Sequence, residues 1–93
     1  MLYITPKSIF SFMEKDWYVY ILECQDGSYY TGVTNDLDKR MKMHAEGKGS
    51  RYVNSKVFKE LLKVKKCLNK SDACKCECVV KKLHRSEKLA WFD

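Results

Sequence analysis

Five side chains along this sequence can bind ions or transfer protons and are candidates for a functional site. In chain order they are Tyr20, Tyr30, Arg40, His44 and Glu77. Tyrosine hydroxyls and imidazole rings donate and accept protons, a guanidinium binds anions, and a carboxylate binds cations. Taken singly, each of the five is expected to be a core, rim or solvated residue. Their joint value depends on whether the fold brings them to one groove.

The turn between the first two predicted strands decides whether Tyr20 and Tyr30 share a face of the sheet. A two-residue Asp26-Gly27 turn would place the two tyrosines on opposite faces, because side chains alternate along a strand. A three-residue loop at 25–27, with its glycine in the left-handed conformation, places both on the face that also carries Tyr18. We predict the three-residue loop.

The apolar spacing along the chain predicts a small α/β (α+β) domain with the element order ββαβαα. We expect a three-stranded antiparallel sheet flanked by helices, with strands at 17–24, 28–34 and 60–66. The helices are expected to begin after Asn35 or Asp36, after Ser71 and after Ser86. Segment 50–56 is predicted to be an irregular basic loop. The packing stripes of the first two helices are Leu37, Met41 and Ala45, and Cys76, Val79, Val80 and Leu83.

The charge distribution indicates a polyanionic partner. The chain has a net charge of +6, and residues 37–66 alone carry ten Lys and Arg side chains against three acids. Such a basic segment favours nucleic acid as the partner, although small basic domains often carry solvated lysines only. No apolar run approaches the roughly 18 residues of a membrane span, so no membrane partner is expected.

The cysteines indicate a reducing compartment, which we take to be the cytoplasm. They are five in number and include no Cys-x-x-Cys pair, which argues against a disulfide framework. The Cys74-x-Cys-x-Cys78 run does not predict a metal site. On a helix Cys76 points into the core while its two neighbours point away, so the three thiolates cannot converge. Residues 1–14 are interpreted as an extension, non-native or flexible, with Met13 as an alternative start.

Two aromatic triplets connect the ordered set with a known family. Tyr18-Val-Tyr20 and Tyr30-Thr-Gly32 stand in for Gly-Ile-Tyr and Tyr-Ile-Gly, and Arg40 and His44 follow at eight and twelve residues after the glycine. With Glu77 on a later helix, residues 15–93 resemble the GIY-YIG nuclease superfamily, in particular its small stand-alone bacterial members. The resemblance implies metal-assisted cleavage of a nucleic-acid phosphodiester.

The resemblance also implies a role for each of the five side chains. Tyr30 is expected to help deprotonate the attacking water, and Tyr20 to orient that water or the phosphate. Arg40 is expected to clamp the phosphoryl oxygens, and His44 to assist proton transfer or hold Tyr30. Glu77 is expected to hold one Mg²⁺ or Mn²⁺ together with the substrate, because these hard cations prefer oxygen ligands.

A second set of residues is expected to contact the nucleic acid: Gly32, Lys48, Arg51, Tyr52 and Lys81. Gly32 would leave the strand open for a phosphate, while the others would follow the backbone. The function implied is a DNA endonuclease of low sequence specificity, in repair or recombination, with DNA favoured over RNA and no small-molecule cofactor. The alternatives are a non-catalytic nucleic-acid-binding module of the same fold and a scaffold whose tyrosine face docks another chain.

Overall fold

A three-stranded antiparallel sheet organises the fold. The computed structural model describes residues 16–93, so the predicted extension at 1–14 and the alternative start at Met13 lie outside the described residues. The strands are β1 (Trp17–Cys24), β2 (Tyr29–Thr34) and β3 (Phe58–Cys67), in the order β2-β1-β3. The predicted α+β class and the antiparallel sheet are confirmed, and β3 extends beyond the predicted 60–66 at both ends.

The hairpin between β1 and β2 has the predicted three-residue loop. Gly27 adopts a left-handed φ of +86°, and the Cys24 backbone N–H donates to the Ser28 carbonyl at 2.8 Å. The Asp26 carboxylate accepts from both the backbone N–H and the hydroxyl of Ser28, which fixes the turn locally. The resulting register pairs Tyr18 with Thr34, Tyr20 with Gly32 and Leu22 with Tyr30. The tyrosines therefore share one face of the sheet.

Within residues 16–93 four helices surround the sheet, one more than predicted. They are α1 (Leu37–Ala45), α2 (Arg51–Lys56), α3 (Lys70–Lys81) and α4 (Arg85–Trp91). The order is therefore ββααβαα, and the prediction of an irregular loop at 50–56 was wrong. The Ser50 hydroxyl accepts from the Val53 backbone N–H at 3.1 Å, which caps α2, and Val53 is fully buried. This short helix of six residues is held by its Ser50 cap and by one buried side chain, that of Val53.

The helix boundaries follow the capping side chains. Asp36, one of the two predicted caps, accepts from the Lys39 N–H at the start of α1. The cap of α3 is Asn69, which accepts from the Asp72 N–H at 2.8 Å, so the prediction of Ser71 was wrong by two residues. Helix α4 likewise begins at Arg85, before the predicted cap Ser86. In both cases the N-cap lies two residues before the predicted one: it is Asn69 for α3 and His84 for α4.

Two apolar cores lie on opposite faces of the sheet. The first contains the even-numbered side chains of β1 and is covered by α1 and α2: Tyr20, Leu22, Cys24, Val53, Leu37 and Met41. The second is covered by α3 and α4: Val19, Cys67, Ala73, Cys76, Trp91 and Phe92. Ala45 is exposed and Val79 is 48% exposed, contrary to the predicted stripes, and His44 and Ala73 occupy the buried positions instead.

None of the helices within residues 16–93 has both the length and the apolar character that crossing a bilayer requires.

Candidate active site

Tyr20, Tyr30 and His44 form the centre of the candidate site. The Tyr20 hydroxyl lies 2.9 Å from His44 Nε2, in hydrogen-bonding geometry. The His44 ring packs edge-on against both tyrosines, with ring centroids 5.9 Å from Tyr20 and 5.6 Å from Tyr30. Three of the five predicted side chains are thus brought into direct contact, by the hairpin register and by the position of His44 at the end of α1.

Tyr20 depends on the glycine opposite it. A Cβ built on Gly32 would lie 2.7 Å from Tyr20 Cζ and 3.1 Å from Tyr30 Cε2, so the tyrosine rings fill the space that a side chain at this position would need. We expected that space to admit a phosphate. Instead it is occupied by Tyr20, which is 0% exposed, and Gly32 is itself buried. In this fold a glycine at position 32 makes room for the Tyr20 ring.

Gly32→Ala is therefore expected to destabilise the protein by roughly 1–3 kcal/mol, the range for inserting a methyl group into a filled core. The sign of this change in the free energy of unfolding tests the packing argument, because alanine in a strand interior is otherwise about 0.5–1 kcal/mol more favourable than glycine. Chemical denaturation of wild type and variant measures the change. A double-mutant cycle with Tyr20→Leu should recover part of the loss; no loss in the single variant would contradict the packing argument.

His44 is held as a neutral imidazole. The side chain is 2% exposed, and this burial, assisted by the positive charge of Arg40, lowers its pKa below the ordinary value. Gly49 packs directly over the ring, where any larger residue would clash with Nδ1. Nδ1 has no hydrogen-bond partner among residues 16–93. In a neutral ring, Nε2 can accept a hydrogen bond from the Tyr20 hydroxyl, so neither partner needs to be charged in the core.

Tyr20 is held in its protonated form. Burial is the main cause that raises its pKa far above the usual value, and the neighbouring Tyr30 adds to the effect. The guanidinium of Arg40 acts in the opposite direction and lowers the pKa of Tyr20, while the charge of Glu77 raises that pKa further. Because Tyr20 is fully buried, direct contact with water or phosphate, as we expected for it, does not fit this geometry. A positioning role does.

Arg40 and Glu77 approach this hydroxyl from different helices. Arg40 is half-buried on α1, one helical turn before His44. Glu77 is half-buried on α3, which packs against β1 and β2. Its carboxylate Oε2 lies 3.2 Å from Lys81 Nζ, an ion pair within the helix. The charges of Arg40 and Glu77 both influence the pKa of the Tyr20 hydroxyl, while direct contacts within the predicted set join Tyr20, Tyr30 and His44.

A hard divalent cation fits the donor chemistry of Glu77 only in part. A carboxylate oxygen is the ligand type that Mg²⁺ and Mn²⁺ prefer, but Glu77 contributes a single side chain and already pairs with Lys81. Within residues 16–93, the group of three ligand-type side chains that converges closely contains two cysteines and belongs to the second core. An ion at Glu77 would therefore need substrate phosphate oxygens and water to complete its coordination.

The predicted nucleic-acid contacts have different surroundings. The Tyr52 ring stacks on the Tyr30 ring, with centroids 5.9 Å apart, and is 42% exposed. Arg51 and Lys48 are exposed on α2 and in the loop before it. Lys81, in contrast, pairs with Glu77 and is not a free cation. The unpredicted helix α2 thus adds an aromatic surface beside Tyr30.

Two residues that support the site were missed at the level of sequence. Phe58 stacks on the other side of His44, with ring centroids 6.3 Å apart, and Gly49 covers the same ring. From the sequence, no contact with His44 was predicted for the segment Gly47-Lys-Gly49. Gly47 has a left-handed φ of +76°, as a helix stop requires, but Gly49 is needed for its lack of a side chain.

Comparisons with known proteins identify the family of this chain. Residues 16–90 match the family model described as the GIY-YIG catalytic domain. The chain is 49% identical over 81 residues to UPF0213 protein OB0043 of Oceanobacillus iheyensis, covering 87% of this chain and 94% of that one. It is 40% identical over 79 residues to UPF0213 protein XAC3202 of Xanthomonas axonopodis pv. citri, covering 85% and 78%.

Solved structures show the same fold. The solution NMR structure of the UPF0213 protein BH0048 from Bacillus halodurans is similar with a TM-score of 0.51 and 44% identity, covering 82% of this chain and 81% of that one. That of the protein EF2693 from E. faecalis is similar with a TM-score of 0.59 and 35% identity, covering 84% and 83%. The chain belongs to the GIY-YIG catalytic domain family.

Proposed function

We propose that this protein is a divalent-metal-dependent endonuclease that hydrolyses phosphodiester bonds in DNA with low sequence specificity. The observation that supports the proposal most directly is the convergence on Tyr20. Its buried hydroxyl bonds to His44 and is acted on by a cation, Arg40, and by an anion, Glu77. A nucleic-acid-binding module gains nothing from a carboxylate in a phosphate groove, whereas a hydrolase can use one to hold a metal ion.

The proposed chemistry assigns the exposed and the buried groups to different tasks. Tyr30 is half-buried beside Tyr52 at the surface of the cluster, so it is the tyrosine that can reach an attacking water and accept its proton. A tyrosine hydroxyl is a weak base at neutral pH and must first give up its own proton to solvent, so we assign to Arg40 the task of stabilising the resulting negative charge. Tyr20 and His44 act as positioning residues that hold Tyr30 and Arg40 in place.

Arg40 and Glu77 act on the phosphate. The guanidinium of Arg40 would bind two phosphoryl oxygens and offset the negative charge that develops on them. Glu77 would hold Mg²⁺ or Mn²⁺ jointly with the substrate. A bound ion of this kind supplies Lewis-acid polarisation of the phosphoryl oxygens and stabilises the leaving oxygen.

The proposal includes the biological setting. The Lys and Arg side chains of segment 37–66 would bind the phosphates of the DNA backbone. The affinity for DNA is therefore expected to depend strongly on salt and little on the base sequence. Tyr52, stacked on Tyr30 and 42% exposed, offers a surface for an unstacked base. We place the protein in the cytoplasm as a nuclease acting on DNA in repair or recombination.

A cleavage panel tests the proposed function. Linear, supercoiled, branched and single-stranded DNA, with RNA counterparts, are incubated with the protein and Mg²⁺, Mn²⁺ or a chelator. We expect nicking that requires the added ion, is abolished by the chelator, and falls as salt is raised. Tight binding with no metal-dependent cleavage of any substrate would favour the non-catalytic binding module and overturn the proposal.

A further inference from the structure

Cys67, Asp72 and Cys76 converge on the face of the sheet opposite to Tyr20. Cys67 ends β3 and is 7% exposed, while Asp72 and Cys76 are half-buried in the first two turns of α3. One ligand atom from each side chain lies within 4.8 Å of the other two. Asp72 and Cys76 are four residues apart and so share a helix face, which the end of β3 meets.

A hydrogen bond holds the Asp72 carboxylate beside the end of β3. The backbone N–H of Leu68 donates to Asp72 Oδ2 at 3.0 Å, which brings the carboxylate next to the preceding residue, Cys67. The other carboxylate oxygen, Oδ1, has no hydrogen-bond partner within residues 16–93. One oxygen of Asp72 thus fixes its orientation and the other is available as a ligand.

The three groups repel one another when they are ionised. Burial raises the pKa of the Cys67 thiol, the nearby Cys76 raises it further, and Asp72 acts in the same direction. The Cys67 thiol donates a hydrogen bond to the Lys65 carbonyl at 3.6 Å. Burial and mutual repulsion thus disfavour the ionised forms of these groups, and a bound dication would stabilise those forms together.

We propose that Cys67, Asp72 and Cys76 form a binding site for Zn²⁺ or another thiophilic divalent cation, with water as the fourth ligand. Two thiolates and a carboxylate oxygen are a donor set that zinc accepts and that Mg²⁺ does not prefer. Zinc bond lengths of about 2.0–2.3 Å imply ligand atoms roughly 3.4–3.8 Å apart. The present separations allow this with small side-chain rotations.

Binding is a proton-coupled step. The S–H bonds of Cys67 and Cys76 break, the two protons pass to solvent, and two sulfur–metal bonds form while Asp72 adds one oxygen–metal bond. No electron transfer is involved. The bound ion would join β3 to α3 within the second core, so the site is structural and does not depend on the proposed nuclease function.

The C-terminal part of the sequence offered only a weak signal for this site. The Cys74-x-Cys-x-Cys78 run was interpreted as structural thiols, and the three cysteines of that run do not form the cluster. Cys76 instead meets Cys67, from the preceding strand. Cys74 and Cys78, on the same helix and outside the cluster, provide matched controls.

Cobalt and zinc titration of the reduced, metal-free full chain tests the proposal. Co²⁺ is expected to bind at one equivalent with a thiolate-to-metal charge-transfer band in the near ultraviolet, and Zn²⁺ is expected to displace it and raise the melting temperature. Cys67→Ser and Cys76→Ala should abolish the band. Asp72→Asn, which keeps an oxygen for the Leu68 N–H, should weaken binding at least ~10-fold. The double variant Cys74→Ser and Cys78→Ser should bind as the wild type does.

Circular dichroism of each variant separates loss of the site from loss of the fold, and Asp72→Asn and Cys76→Ala serve if Cys67→Ser does not fold. A cobalt spectrum without the sulfur band, or binding kept by the Cys67 and Cys76 variants, would overturn the proposal. The proposal would also be overturned if the reduced protein bound neither ion and mass spectrometry of the oxidised protein found a disulfide between Cys67 and Cys76. Each readout is independent of DNA cleavage.

Discussion

Glu77→Gln is expected to lower metal-dependent DNA cleavage by about 10²–10³-fold or more, the scale for removing one charge that stabilises a transition state. The amide has the size of the carboxylate but not its charge, so it cannot hold the ion. Lys81 loses its ion-pair partner at 3.2 Å and becomes a free cation. DNA affinity should therefore stay constant or rise while cleavage falls. Single-turnover cleavage and equilibrium binding, measured on the same substrate, check both parts.

The matched control is Glu46→Gln, which removes the same charge from an exposed position after α1. It should leave cleavage unchanged. The Glu77→Gln variant should also keep its stability, because a partly exposed i, i+4 ion pair contributes about 0.3–0.5 kcal/mol at most. Unchanged cleavage in Glu77→Gln, or a parallel loss of binding and cleavage, would contradict the metal-holding role.

Arg40→Gln is expected to reduce cleavage by about 10²–10³-fold, because the variant removes the cation that binds the phosphoryl oxygens and supports proton transfer to Tyr30. Arg40→Lys should recover only part of this loss. The ammonium keeps the charge but lacks the planar fork that binds two oxygens at once. Cleavage rates at saturating DNA distinguish this loss from weaker binding.

A second measurement locates the effect of Arg40. Its positive charge contributes to the lowered pKa of His44, so Arg40→Gln should raise that pKa towards the ordinary value, as followed by NMR titration of the imidazole. Lys39→Gln, one residue earlier and exposed, removes an equal charge outside the site and should change neither the His44 pKa nor cleavage. An unchanged His44 pKa in Arg40→Gln would show that the guanidinium lies farther from the ring than the structure places it.

The hairpin and its register were determined by the sequence alone. Asp26-Gly27 is a hairpin signal that allows a two-residue or a three-residue loop, and in the predicted three-residue loop the strict alternation of side chains places Tyr20 opposite Gly32. The four-residue spacing of Arg40 and His44 puts them on one helix edge in the same way. These features follow from local geometry, which acts over a few residues, whereas the five candidate residues were named from the resemblance to the GIY-YIG superfamily.

The depth of each residue was decided by the tertiary structure. Whether Tyr20 or Tyr30 is buried depends on how α1 and α2 pack on this face of the sheet, and no local pattern contains that information. Helix α2 was missed because its single buried residue, Val53, gives no periodicity to detect.

The same limit applies to the second core. Cys76 meets Cys67 because β3 ends against α3, so two thiols nine residues apart and an aspartate become neighbours only after the sheet and the helix pack together. Alternation and capping act within one element, and the sequence displays them. Burial, the pKa of a buried group and the convergence of side chains from separate elements are properties of the packed molecule, and they required the structure.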